Sequence, residues 1–267
     1  MNAISLHIGL NHFDPNIYCG DSGRLRACVN DAYAMAGLAL NSNFPSVELL
    51  LNAKATKDHF LSAMDRAHRV LEPGGIFLLT FSGHGGQANS LVSPGDLDEV
   101  WCLYDGIVTD NDLCSCWRRF HKDTRILVVS DSCYSGGILR TEEEGRLAFL
   151  NKSMNSAPPR RGVQRMVLPR NPKEVNWKTC KNGQPVNASV RLLSASASDE
   201  KAKDGILHGQ FTSALLRSWK GGEFEGDYAT FYKALKSSLA QYPGQSPQHV
   251  LLGRFDQKYN SQKPFSI

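Results

Sequence analysis

His84 stands in Ser82-Gly83-His84-Gly85-Gly86, and Cys133 in Asp131-Ser132-Cys133-Tyr134-Ser135-Gly136-Gly137, 49 residues further on. Each segment follows an apolar run that reads as a buried strand, so the chain supplies an imidazole and a thiol at the ends of two strands. A free thiol is only a few per cent thiolate at neutral pH. An adjacent imidazole that takes the proton turns the thiol into a nucleophile for a carbonyl carbon, and the same imidazole later protonates the leaving amine. A His about fifty residues ahead of a Cys is an order in which the fold, and not the sequence, makes the two neighbours. This is the chemistry of a cysteine peptidase. The glycines beside His84 and after Cys133 remove side chains where a substrate backbone must come close. The N–H groups of Gly85 and Cys133 are then candidates for an oxyanion hole. Alone, a Cys after a buried strand reads as packing, and a His in a glycine turn reads as structural. Together, at equivalent ends of two strands, they read as a site.

The elements that must position this pair follow from periodicity. Apolar runs at 3–10, 47–52, 75–81 and 125–130 alternate with helical patterns near 29–42, 56–72 and 110–121. That alternation is the mark of βαβ units, and it predicts a mostly parallel sheet covered on both faces. In such a sheet ligands gather at the carboxyl ends of the strands, where His84 and Cys133 both fall. Thr56 precedes the second helical pattern and Pro73-Gly74-Gly75 closes it, while Asn30 or Asp31 can begin the first. Residues 141–188 break the rhythm with prolines and turn signals, as in Ala157-Pro158-Pro159 and Asn182-Gly183. A strand near 190–196, helices near 209–220 and 227–241, and a last strand near 249–252 complete the pattern.

At 267 residues, 41% hydrophobic and 21% charged, the chain has an ordinary globular composition and reads as one domain. Its first residues lack a basic opening and a long apolar core, and no apolar run approaches the roughly 18 residues of a membrane span. The expectation is a cytoplasmic protein without a membrane partner. Seven cysteines in a chain of this size, without paired ligand spacing, read mostly as reduced packing residues. The net charge of +4 is uneven. Residues 151–190 carry eight Lys or Arg against Glu174 alone, whereas residues 85–117 hold no Lys or Arg and six acids. An acidic segment beside the candidate site favours cationic substrates. The basic stretch lacks stacking aromatics other than Trp177, which argues against nucleic acid.

On these motifs the chain resembles the caspase-fold peptidases of the metacaspase type, including their prokaryotic relatives. The resemblance rests on Ser-Gly-His-Gly and Asp-Ser-Cys-x-Ser-Gly. It extends to residues 23–32, to Ser194-Ala195-Ser196-Ala197-Ser198-Asp199-Glu200, and to residues 209–216, leaving out only 141–188. It implies an α/β three-layer αβα sandwich with a mostly parallel sheet: a large-subunit-like part over 1–140, a basic variable loop over 141–188, and a small-subunit-like part over 189–267. The sequence around Cys133 departs from the Gln-Ala-Cys-x-Gly signature of animal caspases, which cut after Asp. The resemblance further implies that Arg or Lys before the scissile bond enters a pocket formed by Cys28, Asp31, Ser82 and Asp131. For Asp31 the sequence leaves a helix cap open as an alternative.

The resemblance also implies a calcium site of acids from the loop after the catalytic His, with one acid seven residues beyond the Cys. That last position is Arg140, which argues against a site of the usual geometry and leaves Asp98, Glu99, Asp110 and Asp112 as the remaining oxygen ligands. No other cofactor is required. With an acidic pocket, Arg160, Arg161, Arg165 and Arg170 in the basic loop become candidate positions for self-cleavage. The expectation is therefore a monomeric cysteine endopeptidase acting on protein or peptide substrates with a basic residue before the bond. Two alternatives stand beside it: a caspase-fold pseudo-enzyme or interaction module, and a peptidase of the same fold with another preference at that residue.

Overall fold

Continuous apolar strands dictate which surfaces the chain must cover. The computed structural model describes residues 1–90, 97–132, 138–141, 147–149, 185–195, 204–242 and 245–267. Its first half runs β1 (Ala3–Gly9), α1 (Cys28–Asn41), β2 (Val47–Leu51), α2 (Lys57–Val70), β3 (Ile76–Gly83), β4 (Gly85–Asn89), β5 (Leu97–Leu103), β6 (Gly106–Thr109), α3 (Asp110–Trp117) and β7 (Arg125–Ser132). The second half adds β8 (Ile138–Thr141), β9 (Leu147–Phe149), β10 (Ser189–Ser194), α4 (Gln210–Trp219), α5 (Tyr228–Leu239), β11 (Gln248–Gly253) and α6 (Gln257–Ser261).

One sheet has the order β11-β10-β7-β3-β1-β2, parallel throughout except for the antiparallel edge strand β11. All of β1 and β3, and all of β7 but its first residue, are buried, which is why these strands read as unbroken apolar runs. The twofold periodicity divides their side chains between two cores. Leu6, Phe77, Leu79, Ile126 and Val128 pack with Phe60 and Met64 of α2 and Trp117 of α3. Ile76, Leu78, Leu127 and Val129 pack on the other side with Met35 and Leu38 of α1, Phe211 and Leu215 of α4 and Phe231 of α5. The expected three-layer αβα arrangement is present, and β10 carries the segment after the variable loop into the same sheet beside β7.

The helix boundaries follow local chemistry. The Thr56 hydroxyl accepts the His59 N–H at 3.2 Å and starts α2, as the sequence pattern predicts. Asp31 does not cap α1. The N-cap is Ala27, with no side-chain cap of its own, and Asp204 accepts the Arg26 and Ala27 N–H groups at 2.8 and 3.2 Å. This frees Asp31, in the first turn, to point elsewhere.

A second sheet, ordered β6-β5-β4-β8-β9, grows from the carboxyl edge of the first and lies outside the sequence expectation. Its strand β4 begins directly after His84, so Gly85 and Gly86 are ladder residues opposite Trp101 and Val100. A glycine-rich strand carries too little apolar periodicity to be seen in sequence. Among the described residues, no helix is long and apolar enough to cross a membrane.

The start of α3 is fixed by a reciprocal capping box between Thr109 and Asp112, at 3.0 and 3.1 Å. Thr109→Ala should therefore cost about 1 kcal/mol of stability, read from the urea midpoint. An unchanged midpoint would remove the cap from the account of this helix.

Candidate active site

The carboxyl ends of β3 and β7 bring the two sequence motifs to one place. In the parallel register Ser82 pairs with Asp131 and Gly83 with Ser132. Gly83 is followed in the chain by His84 and Ser132 by Cys133. Cys133 itself lies outside the described residues, as do Arg160, Arg161, Arg165 and Arg170 and the 196–203 segment.

The orientation of the His84 ring is set by a group that the sequence pattern did not single out. Its Nε2 lies 3.0 Å from the carbonyl oxygen of Gly23, and a carbonyl only accepts, so Nε2 carries the proton. Nδ1 is thereby the basic nitrogen, able to take a proton from a nucleophile. The Phe13 ring flanks the imidazole edge-on, with centroids 5.4 Å apart. Gly23 has φ +53, and a Cβ there would lie 2.1 Å from the Phe13 ring, so only glycine can hold its carbonyl in this position. Gly85, the oxyanion-hole candidate, is the next residue along and opens β4.

Ser82 and Asp131 face the layer that holds α1 and α4, on the same side of the sheet as Leu78 and Val129. Asp31 approaches from α1. Its Oδ2 accepts the Ser82 hydroxyl at 2.7 Å, and its two oxygens lie 3.1 and 3.2 Å from the Gly209 N–H. Asp131 Oδ2 accepts the Thr212 N–H at 3.0 Å and its hydroxyl at 2.7 Å. Cys28, at the first position of α1, is buried beside them, and the burial pushes its thiol far above the ordinary range. The four expected pocket residues therefore share one enclosed cluster. Gly209 sits between the two acids, where a Cβ would lie 2.3 Å from Asp131 Oδ2 and 3.1 Å from Asp31 Oδ2.

Two carboxyl groups in so small a volume cannot both ionise cheaply. Asp31 is 2% exposed and Asp131 7%. Desolvation, opposed by the Ser82 and Gly209 hydrogen bonds, pushes the Asp31 carboxyl up to about 7. Desolvation and then the charge of Asp31 push Asp131 up to about 7, against the Thr212 hydrogen bonds. The one basic side chain placed on them among the described residues is His208, whose Nδ1 is 3.1 Å from Asp31 Oδ1. Its own burial lowers its proton affinity, partly offset by Asp131, so it is a weak counter-ion at neutral pH. A guanidinium or ammonium group entering here would meet two carboxylates and restore their ionised state. Sequence reasoning missed His208, Gly209 and Thr212 as pocket residues because they come from a helix start 77 or more residues beyond Asp131, with no local spacing to mark them.

The acids considered for calcium are distributed differently. Asp98 is buried and accepts the Asn111 amide at 2.9 Å, while Asp112 caps α3 and pairs with Lys57 at 3.1 Å. Glu99 lies in β5 and Asp110 opens α3. Among the described residues, no three His, Cys, Asp or Glu side chains converge as a metal cage. Asp98 and Asp112 thus hold neighbours within this sheet and its helix.

The sequence matches the caspase domain family over residues 3–262. It is 26% identical to a metacaspase-1A of Aspergillus terreus over 91% of this chain and 69% of that protein. It is 24% identical to a metacaspase-1 of Coccidioides immitis over 91% of this chain and 60% of that protein. Among solved structures it resembles a Geobacter sulfurreducens protein, with 29% identity, a TM-score of 0.78, and coverage of 100% of this chain and 99% of that one. It also shares the fold of caspase-1 from Spodoptera frugiperda, with a TM-score of 0.55 and 11% identity over 94% of this chain and 88% of that one.

Two predictions arise from this geometry. Gly23→Ala forces Phe13 and the Gly23 carbonyl apart, so nitrogen NMR of the His84 ring should lose the Nε2–H signature seen in the parent protein; its persistence would mean that another group fixes the tautomer. Both carboxyl values lie above the unfolded value of 3.8, so their contribution to stability is fully present below about 3.8 and is lost as pH rises towards about 7. Urea midpoints should therefore fall across that window in the parent protein and fall less in Asp131→Asn. Parallel slopes would contradict the shared burial of the pair.

Proposed function

This chain belongs to the caspase domain family of cysteine peptidases, and on that premise we propose that it is an endopeptidase that cleaves protein substrates after Arg or Lys. The observation that carries the basic preference is the pair of buried carboxyls, Asp31 and Asp131, on which no Lys or Arg is placed among the described residues. A substrate cation between them gains two charge-assisted contacts, while Ser82 and Thr212 keep the carboxylate planes in place. An Asp or Glu side chain would add a third negative charge to the same small volume and is excluded.

In the proposed reaction His84 Nδ1 takes the proton of the Cys133 thiol. The thiolate attacks the carbonyl carbon of the residue held by the pocket, and the N–H groups of Gly85 and Cys133 receive the oxyanion. The tetrahedral adduct collapses as His84 returns the proton to the leaving amine. Water, deprotonated by His84, then hydrolyses the acyl-enzyme and releases the thiol. The Gly23 carbonyl holds the imidazole throughout, and stabilises the imidazolium formed in each half-reaction. Arg160, Arg161, Arg165 and Arg170 lie in a proline-punctuated basic stretch and would suit the same pocket, so self-cleavage there is part of the proposal.

A panel of fluorogenic peptides ending in Arg, Lys, Asp or Leu, with and without calcium, tests this reading. Hydrolysis is expected after Arg and Lys only, at similar rates in both calcium arms. Cys133→Ala should abolish it, and Asp31→Asn should lower kcat/KM for the Arg peptide by at least about thirtyfold. The parent protein should also cut itself on incubation while Cys133→Ala stays intact. Cleavage after Asp or Leu that survives Asp31→Asn would sink the basic preference, and inactivity of correctly folded protein on every peptide would favour a binding role for this fold.

A further inference from the structure

Beside His84, on the side away from β7, the carboxyl end of β1 opens into a cavity of about 680 Å³. Its walls come from Asn11, His12 and Phe13, which follow β1, from Arg24 and Arg26 ahead of α1, and from Tyr104 beyond β5. Nothing in the reaction described above uses it. Two contacts tie it to the candidate active site. Phe13 is shared between the cavity wall and the edge of the His84 ring. Gly23, whose carbonyl holds His84 Nε2, lies in the chain between two lining residues, Ser22 and Arg24.

Sheet order fixes which part of a substrate would reach it. The strands run β10-β7-β3-β1, with Cys133 following β7 in the chain, His84 at the end of β3 and the cavity at the end of β1. The acyl group stays on Cys133, on the β7 side, and the amine leaves with a proton from His84, on the β3 side. The chain beyond the broken bond is thus directed past His84 towards β1.

The charge of the cavity fixes what it would prefer. Arg24 and Arg26 are exposed cations, and neither makes an ion pair among the described residues. The carboxylates of the surrounding segments are turned to other donors. Asp14 accepts from the Asn16 N–H and side-chain amide at 2.9 and 3.0 Å, Asp21 accepts from Gly23 N–H at 2.8 Å, and Asp204 accepts from the backbone of Arg26 and Ala27. The two guanidinium groups are left to meet something from outside.

We infer that this cavity receives the residues that follow the scissile bond, and that Arg24 and Arg26 make it favour acidic ones. The inference rests on the peptidase reading. The enzyme then reads a charge dipole along its substrate, a cation held by Asp31 and Asp131 before the bond and an anion held by Arg24 and Arg26 after it. Exposed guanidinium–carboxylate pairs are individually weak, so the expected preference is moderate and salt-sensitive.

The test uses internally quenched peptides with one basic residue before the bond and Glu, Ala or Lys in the three positions after it, alongside an aminocoumarin amide with no residue after the bond. At low ionic strength kcat/KM should rank Glu above Ala above Lys, with about three- to tenfold between the extremes, and the ranking should flatten in high salt. The doubly substituted Arg24→Glu, Arg26→Glu protein should reverse the Glu-to-Lys ratio. That ratio is taken within one protein, so a general change in activity does not alter it. Equal rates for the three peptides in the parent protein, or the same ratio in the variant, would overturn the inference while leaving the peptidase reading intact. If correctly folded parent protein cuts none of the peptides and not the coumarin amide either, both are overturned.

Discussion

The buried approach of Asp31 and Asp131 is the constraint around which the site is built. Removing two carboxyls from water is costly, and the fold meets that cost with fixed donors: the Ser82 hydroxyl, the Gly209 N–H and both donors of Thr212. The donors come from β3 and the start of α4 and the two carboxyls from α1 and β7, so the cluster exists only when all four elements are assembled. The first turn of α1 is relieved of its own cap by Asp204, which leaves Asp31 available for the sheet. Gly209 has no side chain because the space a Cβ would need belongs to the Asp131 carboxyl.

The same assembly positions the chemistry. Register pairing of Ser82 with Asp131 and of Gly83 with Ser132 means that the residues lining the pocket and those preceding the His and the Cys are set by one strand pair. Twofold periodicity turns Ser82 and Asp131 towards α1 and α4, and the next residue of each strand away from them. The carboxyl cluster on one face of the sheet and the place of His84 just beyond β3 are thus consequences of a single parallel ladder. The Gly23 carbonyl belongs to the segment leading into α1, so the helix that brings Asp31 also brings the group that orients His84.

Much of this was legible in the residues. The buried strands declared themselves as apolar runs, and α2 by a cap and a four-residue recurrence that the structure retains in Phe60, Ala63, Met64 and Ala67. His84 is marked by its own motif, whereas Asp31 and Ser82 enter only through the family resemblance. The second sheet was not legible, because Gly85-Gly86-Gln87-Ala88-Asn89 has neither apolar alternation nor β-branched residues. Partners that act through the backbone, such as the Gly23 carbonyl, leave no side-chain signature. His208 and Thr212 were hidden for a different reason, since their contacts with Asp31 and Asp131 span at least 81 residues of chain. Among the acids at 98–112, Asp112 caps α3 and Asp98 accepts a side-chain amide, local roles that composition does not mark.

The central claim is that the pocket carboxyls are held partly protonated until a cation arrives. It is tested most directly by calorimetric binding of agmatine, a guanidinium compound without a scissile bond, near pH 6 in buffers of different ionisation heat. The account predicts binding accompanied by proton release, as the cation draws both carboxyls into their charged form, and little release from Asp131→Asn. Binding with no proton release, or no binding of the guanidinium at all, would contradict it.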